Sequence, residues 1–256
     1  MASKRHAADS YSKYSLYFNM LELKISKKGI EPEHTYNIDK KGFIIRKIGK
    51  QKQRFWQALE DSNREWVTLI ACVGASGVAL PPGLIMAGDS GNVQDAWVRD
   101  IKQLKHRCFV TVTPISNNGW TNNKLGVEWL KHFHAHTKTR CVGARCLLIL
   151  DGHESHHSLE FQELCKENNI CTLCMPPYSS HLLQPLDVGC FLPLKRAYSR
   201  KIEALIRHHI NHITKLEFLP AFKAAFDRAF TTANICSAFQ GAGLVPLHPD
   251  VVLSKL

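Results

Sequence analysis

The sequence predicts an α/β fold: a mixed sheet of three hairpin-connected strands followed by two parallel strands joined by a helical crossover, flanked by helices. Three observations carry that prediction. Residues 147–150 form an apolar run that stops at Asp151-Gly152, and residues 170–175 form a second that stops at Pro176-Pro177. Both read as buried strands. Between them Ser158 opens a helical pattern of Leu159, Phe161, Leu164 and Cys165, which Asn168-Asn169 closes. A strand–helix–strand connection within one sheet is normally a right-handed crossover, so the two strands run parallel and bring their carboxyl ends to one edge. Finally, apolar segments over residues 36–87 are separated by small or polar residues, as in consecutive hairpins.

Residues 1–34 read as a helical lead-in. Tyr14, Tyr17, Phe18, Leu21 and Ile25 share one stripe, and Lys27-Lys28-Gly29 supplies the stop. Tyr36 and Ile38 mark a strand carrying Asp39, and Phe43, Ile44 and Ile45 its hairpin partner across Lys40-Lys41-Gly42. From Lys40 to Arg54 there are seven basic residues (Lys40, Lys41, Arg46, Lys47, Lys50, Lys52, Arg54) and no acid. Such a run is ordinarily a solvated face; beside a metal site it would contact phosphates. From Glu65 two apolar strands join through Gly74-Ala75-Ser76-Gly77, with Pro81-Pro82 at a strand entrance or a sheet edge.

Residues 88–122 begin as a loop, then suggest a helix over 96–104 and a short strand over 108–112. They stand as a possible insertion. Leu125, Trp129, Leu130 and Phe133 form the apolar face of the next helix, a spacing that favours core packing over base stacking. Beyond Asp187 another helix turns Leu194, Ala197, Tyr198, Ile202, Leu205 and Ile206 inward and Lys195, Arg196, Arg200, Lys201 and Arg207 outward. The chain closes with a further helical stretch and a Gly-Pro-rich end.

Composition bounds the function. The 256 residues, 45% of them hydrophobic, are enough for a full core. A net charge of +11 favours a polyanionic partner. No apolar run is long enough to cross a bilayer, and the first residues lack the apolar core of a secretory signal, so an intracellular protein without a membrane partner is expected. Nine scattered cysteines suit reduced, packed thiols. The Cys171–Cys174 pair, with His153, His156, His157 and His181 near in sequence, invites a zinc reading. On a strand, however, residues three apart face opposite ways, which argues against it.

Asp151 and Asp187, both following strands that end at one sheet edge, suggest a site for hard divalent cations; Asp151 alone would be read as a turn former or cap. The segments LLILDGHESH, MPPYSSHLLQPLDVG and FLPLKRAY resemble the catalytic domain of pogo/Tigger-like members of the mariner-type DDE transposases, in particular the fungal ones. The resemblance runs from about residue 7 onward. It implies a ribonuclease-H-like fold with residues 35–215 as the catalytic domain, 1–34 as a lead-in packed on it and 216–256 as its helical extension. It further implies three acids, Asp39, Asp151 and Asp187, holding two Mg2+ or Mn2+ ions for DNA cleavage and strand transfer. His153, His156, His181 and Gln184 are then expected around the acids, and Lys40, Lys41, Arg46, Lys47, Lys50, Lys52, Arg54, Lys195, Arg196 and Arg200 against DNA. A nuclear location and a homo-oligomer on DNA belong to the same expectation. The chain departs from the family pattern at Lys40, Arg46, Asn117 and Tyr178, and nothing before residue 35 is long enough for the family's helix-turn-helix domains. These departures open an alternative: a catalytically inactive, domesticated or truncated nucleic-acid-binding protein.

Overall fold

The computed structural model describes residues 10–45, 65–87, 109–113, 123–141, 144–152, 158–208 and 213–256. The first helix, α1 (Tyr11–Lys28), buries Tyr14, Tyr17, Phe18 and Leu21, and ends where Gly29 takes the left-handed conformation (φ 59°) and its N–H caps the last turn. A side-chain-bearing residue is strained there, which is why a glycine makes the stop.

The sheet is built from β1 (Thr35–Ile45), β2 (Glu65–Gly74), β3 (Val78–Ala79), β4 (Gly83–Ala87), β5 (Phe109–Thr113), β6 (Cys146–Leu150) and β7 (Ile170–Cys174). Its order is β5-β4-β2-β1-β6-β7, with the short β3 paired to β2. β1, β2 and β4 are antiparallel neighbours, whereas β1–β6, β6–β7 and β4–β5 are parallel. The mixed sheet thus has the expected antiparallel and crossover halves. A further parallel strand, β5, lies on the edge beyond β4.

One expectation is corrected. Residues 36–45 are not two strands around a turn: β1 is continuous, pairing with β2 from Tyr36↔Gly74 through Lys40↔Ile70, Lys41↔Leu69 and Gly42↔Thr68 to Ile45↔Glu65. Lys-Lys-Gly is a turn signal only while the backbone lacks a partner, and here the antiparallel ladder supplies one. Pro81-Pro82 immediately precede β4, at a strand entrance where no ladder N–H is lost.

Helices cover both faces. Behind one lie α2 (Asn123–Thr137) and α3 (Leu159–Glu167), whose Val127, Trp129, Leu130, Phe133, Phe161 and Cys165 pack with Tyr36, Ile38, Leu148 and Leu150. Trp129 is a core residue, stacked on Phe133 at 5.6 Å. The Ser158 side chain caps α3 by accepting from the Phe161 N–H, and Asn169 (φ 55°) turns the chain into β7. On the other face sit α1, α4 (Ser180–Leu183), a π-helical turn (Leu186–Cys190), α5 (Phe191–Arg207), α6 (Lys215–Ala229), α7 (Thr232–Gly241) and α8 (Asp250–Leu253). Phe43 at the end of β1 meets Tyr198 of α5 and Phe222 of α6 edge-on at 5.4 and 5.7 Å, closing this second core.

Candidate active site

Strand alternation assigns the residues of β1 to faces. Tyr36 and Ile38 point into the core beneath α2, while Phe43 points into the core beneath α5 and α6. Asn37, Asp39 and Lys41 share the Phe43 face. The β1–β6 pairing ends at Asn37↔Ile149, and two residues further in the same register Asp151 comes level with Asp39.

Asp187 arrives by another route. After β7, Pro176-Pro177-Tyr178-Ser179 reverses the chain, with Tyr178 in the left-handed region (φ 65°) and Ser179 donating from its hydroxyl to the Pro176 carbonyl at 2.7 Å. α4 follows, then the π-helical turn that carries Asp187.

A buried amide pair fastens that turn to the sheet. The Asn37 side-chain NH2 donates to the Gln184 Oε1 at 2.8 Å and to the Ile149 carbonyl at 3.2 Å. Its Oδ1 accepts from the Leu186 N–H at 3.2 Å, and Gln184 Nε2 donates to the Ile38 carbonyl at 3.0 Å. Both side chains are buried. Strand β1, strand β6 and the turn bearing the third acid therefore meet in one satisfied polar network, of the kind that fixes a unique arrangement.

The electrostatics show what the network brings together. Burial, then the neighbouring Asp187 carboxylate, pushes the Asp39 carboxyl up to about 7; Asp151 adds to the rise, and hydrogen bonds from the Lys40 N–H (2.7 Å) and Gln184 oppose it. Both of the other expected acids thus act on Asp39. Burial lowers the Lys40 ammonium, against the attraction of Asp151 and Asp39. Lys41 Nζ donates to Asp187 Oδ1 at 2.8 Å and lies 4.8 Å over the Phe191 ring.

The donor set fits a hard divalent cation by type. It is all carboxylate oxygen, and its mutual repulsion is what an added cation would relieve. Among the described residues, no three His, Cys, Asp or Glu side chains stand close enough as they are to hold one ion. Asp187 is instead drawn to Lys41.

The remaining expected residues divide as follows. Gln184 is buried in the amide pair, while His181 is exposed on α4. Lys40 and Lys41 lie within the acid cluster, and Lys195, Arg196 and Arg200 are exposed along α5. His153, His156, Arg46, Lys47, Lys50, Lys52 and Arg54 lie outside the described residues, as does Asn117. Cys171 packs on the core while Cys174 is exposed, so strand alternation separates the two sulfurs. Asn37 and the counter-charge of Lys41 escaped the reading of the sequence. The available signal for Asn37 was an amide in the strand, in phase with Asp39.

Comparison with known proteins shows the family and the fold. Residues 63–239 match the family model described as DDE superfamily endonuclease. A Cochliobolus lunatus protein named MFS-type transporter clz9 is 58% identical over 238 residues, covering 90% of this chain and 25% of that protein. Chaetoglobosin A biosynthesis cluster protein C of Chaetomium globosum is 59% identical over 61 residues, 24% of this chain and 15% of that one. The chain therefore spans a quarter or less of these relatives. No helix among the described residues is long and apolar enough to cross a membrane. Among solved structures, the Mos1 Strand Transfer Complex aligns over 96% of this chain and 62% of its own, with a TM-score of 0.50 and 12% identity, a likeness of fold.

Proposed function

The chain belongs to the DDE superfamily endonucleases, and from that premise we propose that it is a transposon-derived catalytic domain that cleaves DNA phosphodiesters and transfers strands with the help of Mg2+ or Mn2+. One observation carries the reading: the buried Asn37–Gln184 amide pair fastens the turn bearing Asp187 to strand β1 beside Asp39 and to strand β6, which leads into Asp151. In this reading Asp39, Asp151 and Asp187 hold the ions, and Asn37 and Gln184 set the distance between strand and turn. Two bound ions would lower the pKa of an attacking water or 3′-hydroxyl and stabilise the leaving oxygen. Carboxylates are suited to hold them because they keep the site's net charge low and leave coordination positions for phosphate oxygens. Lys195, Arg196 and Arg200, exposed on the helix that leaves the third acid, would contact the sugar-phosphate backbone.

The finer assignments rest on the resemblance in sequence: pogo-type ancestry, two ions, a catalytic domain over residues 35–215, a homo-oligomer on DNA and a nuclear setting. A second reading is favoured by a specific observation, the Lys41 ammonium paired with Asp187 at 2.8 Å. It is a DNA-binding remnant whose third acid is neutralised from within. Supercoiled plasmid, incubated with Mn2+ and with EDTA beside the Asp151→Asn variant, separates the two. The endonuclease nicks only with Mn2+ and loses nicking on substitution. Salt-sensitive binding that is indifferent to Mn2+ and to the substitution, without nicking, selects the remnant.

A further inference from the structure

Lys41 lies on the same face of β1 as Asp39, two residues along a continuously paired strand. Its backbone therefore has little freedom and its ammonium a short list of partners. It has taken two of them: Asp187 Oδ1 at 2.8 Å and the face of Phe191 at 4.8 Å. The pair is not an ordinary surface ion pair, because both side chains are only 26% exposed. Phe191 is buried and opens α5 directly after the π-helical turn, so the ring holding the ammonium is covalently close to the acid it neutralises.

We propose that the Lys41 ammonium is the site's internal counter-ion: it holds Asp187 until a divalent cation takes that carboxylate, and the displaced ammonium then binds a phosphate oxygen of the nucleic acid. This rests on the metal-dependent reading above. A cation arriving at Asp187 repels the ammonium and competes for the same oxygen, so the two cannot both hold it at full strength. The released group needs another anion in a half-buried setting, and the phosphodiester is the one that the same reading brings. Cation and DNA each favour the state in which Lys41 has left Asp187, so by linkage each strengthens the other's binding.

The test measures Mn2+ binding by calorimetry and binding of a labelled duplex by fluorescence anisotropy in Ca2+ buffer, for the wild type, Lys41→Met and Lys41→Arg. Lys41→Met is expected to bind Mn2+ roughly three- to tenfold more tightly, because the competing charge is gone. It should also bind the duplex more weakly and lose the strengthening that Ca2+ gives the wild type. Lys41→Arg keeps the charge and stays within about threefold of wild type in Mn2+ affinity. Should the Met variant fail to fold by circular dichroism, Lys41→Gln takes its place with the same expectation. If the folded neutral variant binds Mn2+ as the wild type does or more weakly, the counter-ion role is overturned while the metal site stands. If the wild type itself binds no Mn2+, the metal-dependent reading falls and this proposal with it.

Discussion

At the scale of single residues, Asp39 is the most informative group, because its carboxyl is pushed from its ordinary 3.8 to about 7. An acid whose pKa is higher folded than unfolded binds a proton on folding. Its penalty is therefore absent below the unfolded value, grows as pH rises between the two values, and is complete above about 7. Asp39→Asn keeps an oxygen for the Lys40 N–H and removes the charge. In EDTA at pH 8 the variant is expected to be more stable than wild type by about 2 kcal/mol, or roughly 4–8 °C in Tm. That advantage should shrink as pH falls from 7 toward 4, and thermal melts across the range check it. Asn37 acts in the opposite sense. Asn37→Leu leaves the Gln184 Oε1, the Ile149 carbonyl and the Leu186 N–H without their partner. A loss of about 2–4 kcal/mol in urea unfolding is expected at any pH where the protein folds.

At the scale of elements, the π-helical turn is the piece on which the third acid depends. It is wedged against α7: a Cβ at Gly189 would lie 2.6 Å from the Ala238 Cβ and 3.0 Å from its Cα. Gly189→Ala must therefore push the turn off α7, at a cost of about 1–3 kcal/mol. It should weaken Mn2+ binding although it touches no ligand. Ala238→Gly removes the facing methyl and should recover part of both losses in the double variant, a coupling that calorimetry and denaturation measure together. The turn is also where the sequence was least legible. The crossover β6–α3–β7 could be read from apolar runs, a serine cap and an asparagine stop, all local signals. A π-helical turn has no such signature, since its widening depends on what it packs against. The same holds for β1, where Lys40-Lys41-Gly42 looks like a turn until a ten-residue ladder with β2 decides otherwise. Asp39, Asp151 and Asp187 were legible as candidates because the motifs around them are particular. The amide pair that brackets two of them was not, because a single Asn in a strand has many meanings.

At the scale of the whole molecule, the question is where the excess positive charge of +11 acts. Two lysines are committed to the acid cluster and so contribute little to long-range attraction. By contrast, Lys195, Arg196 and Arg200 are exposed on α5, the helix that begins one residue after the turn bearing Asp187. If nucleic acid reaches the acids along this helix, each cation that neutralises a phosphate releases condensed counter-ions and adds about 0.9 to the salt dependence of binding. Replacing all three with Ala should lower the magnitude of the slope of log affinity against log salt by up to roughly 3. Stability should change by no more than about 0.5 kcal/mol per site, because exposed positions bear little of the fold. Duplex affinity measured from 50 to 300 mM salt, with melting temperatures beside it, decides the matter. A slope equal to that of wild type would place the DNA path elsewhere on the surface. A lowered slope with unchanged Tm would assign α5 to the backbone of the nucleic acid and leave the acids free for the chemistry.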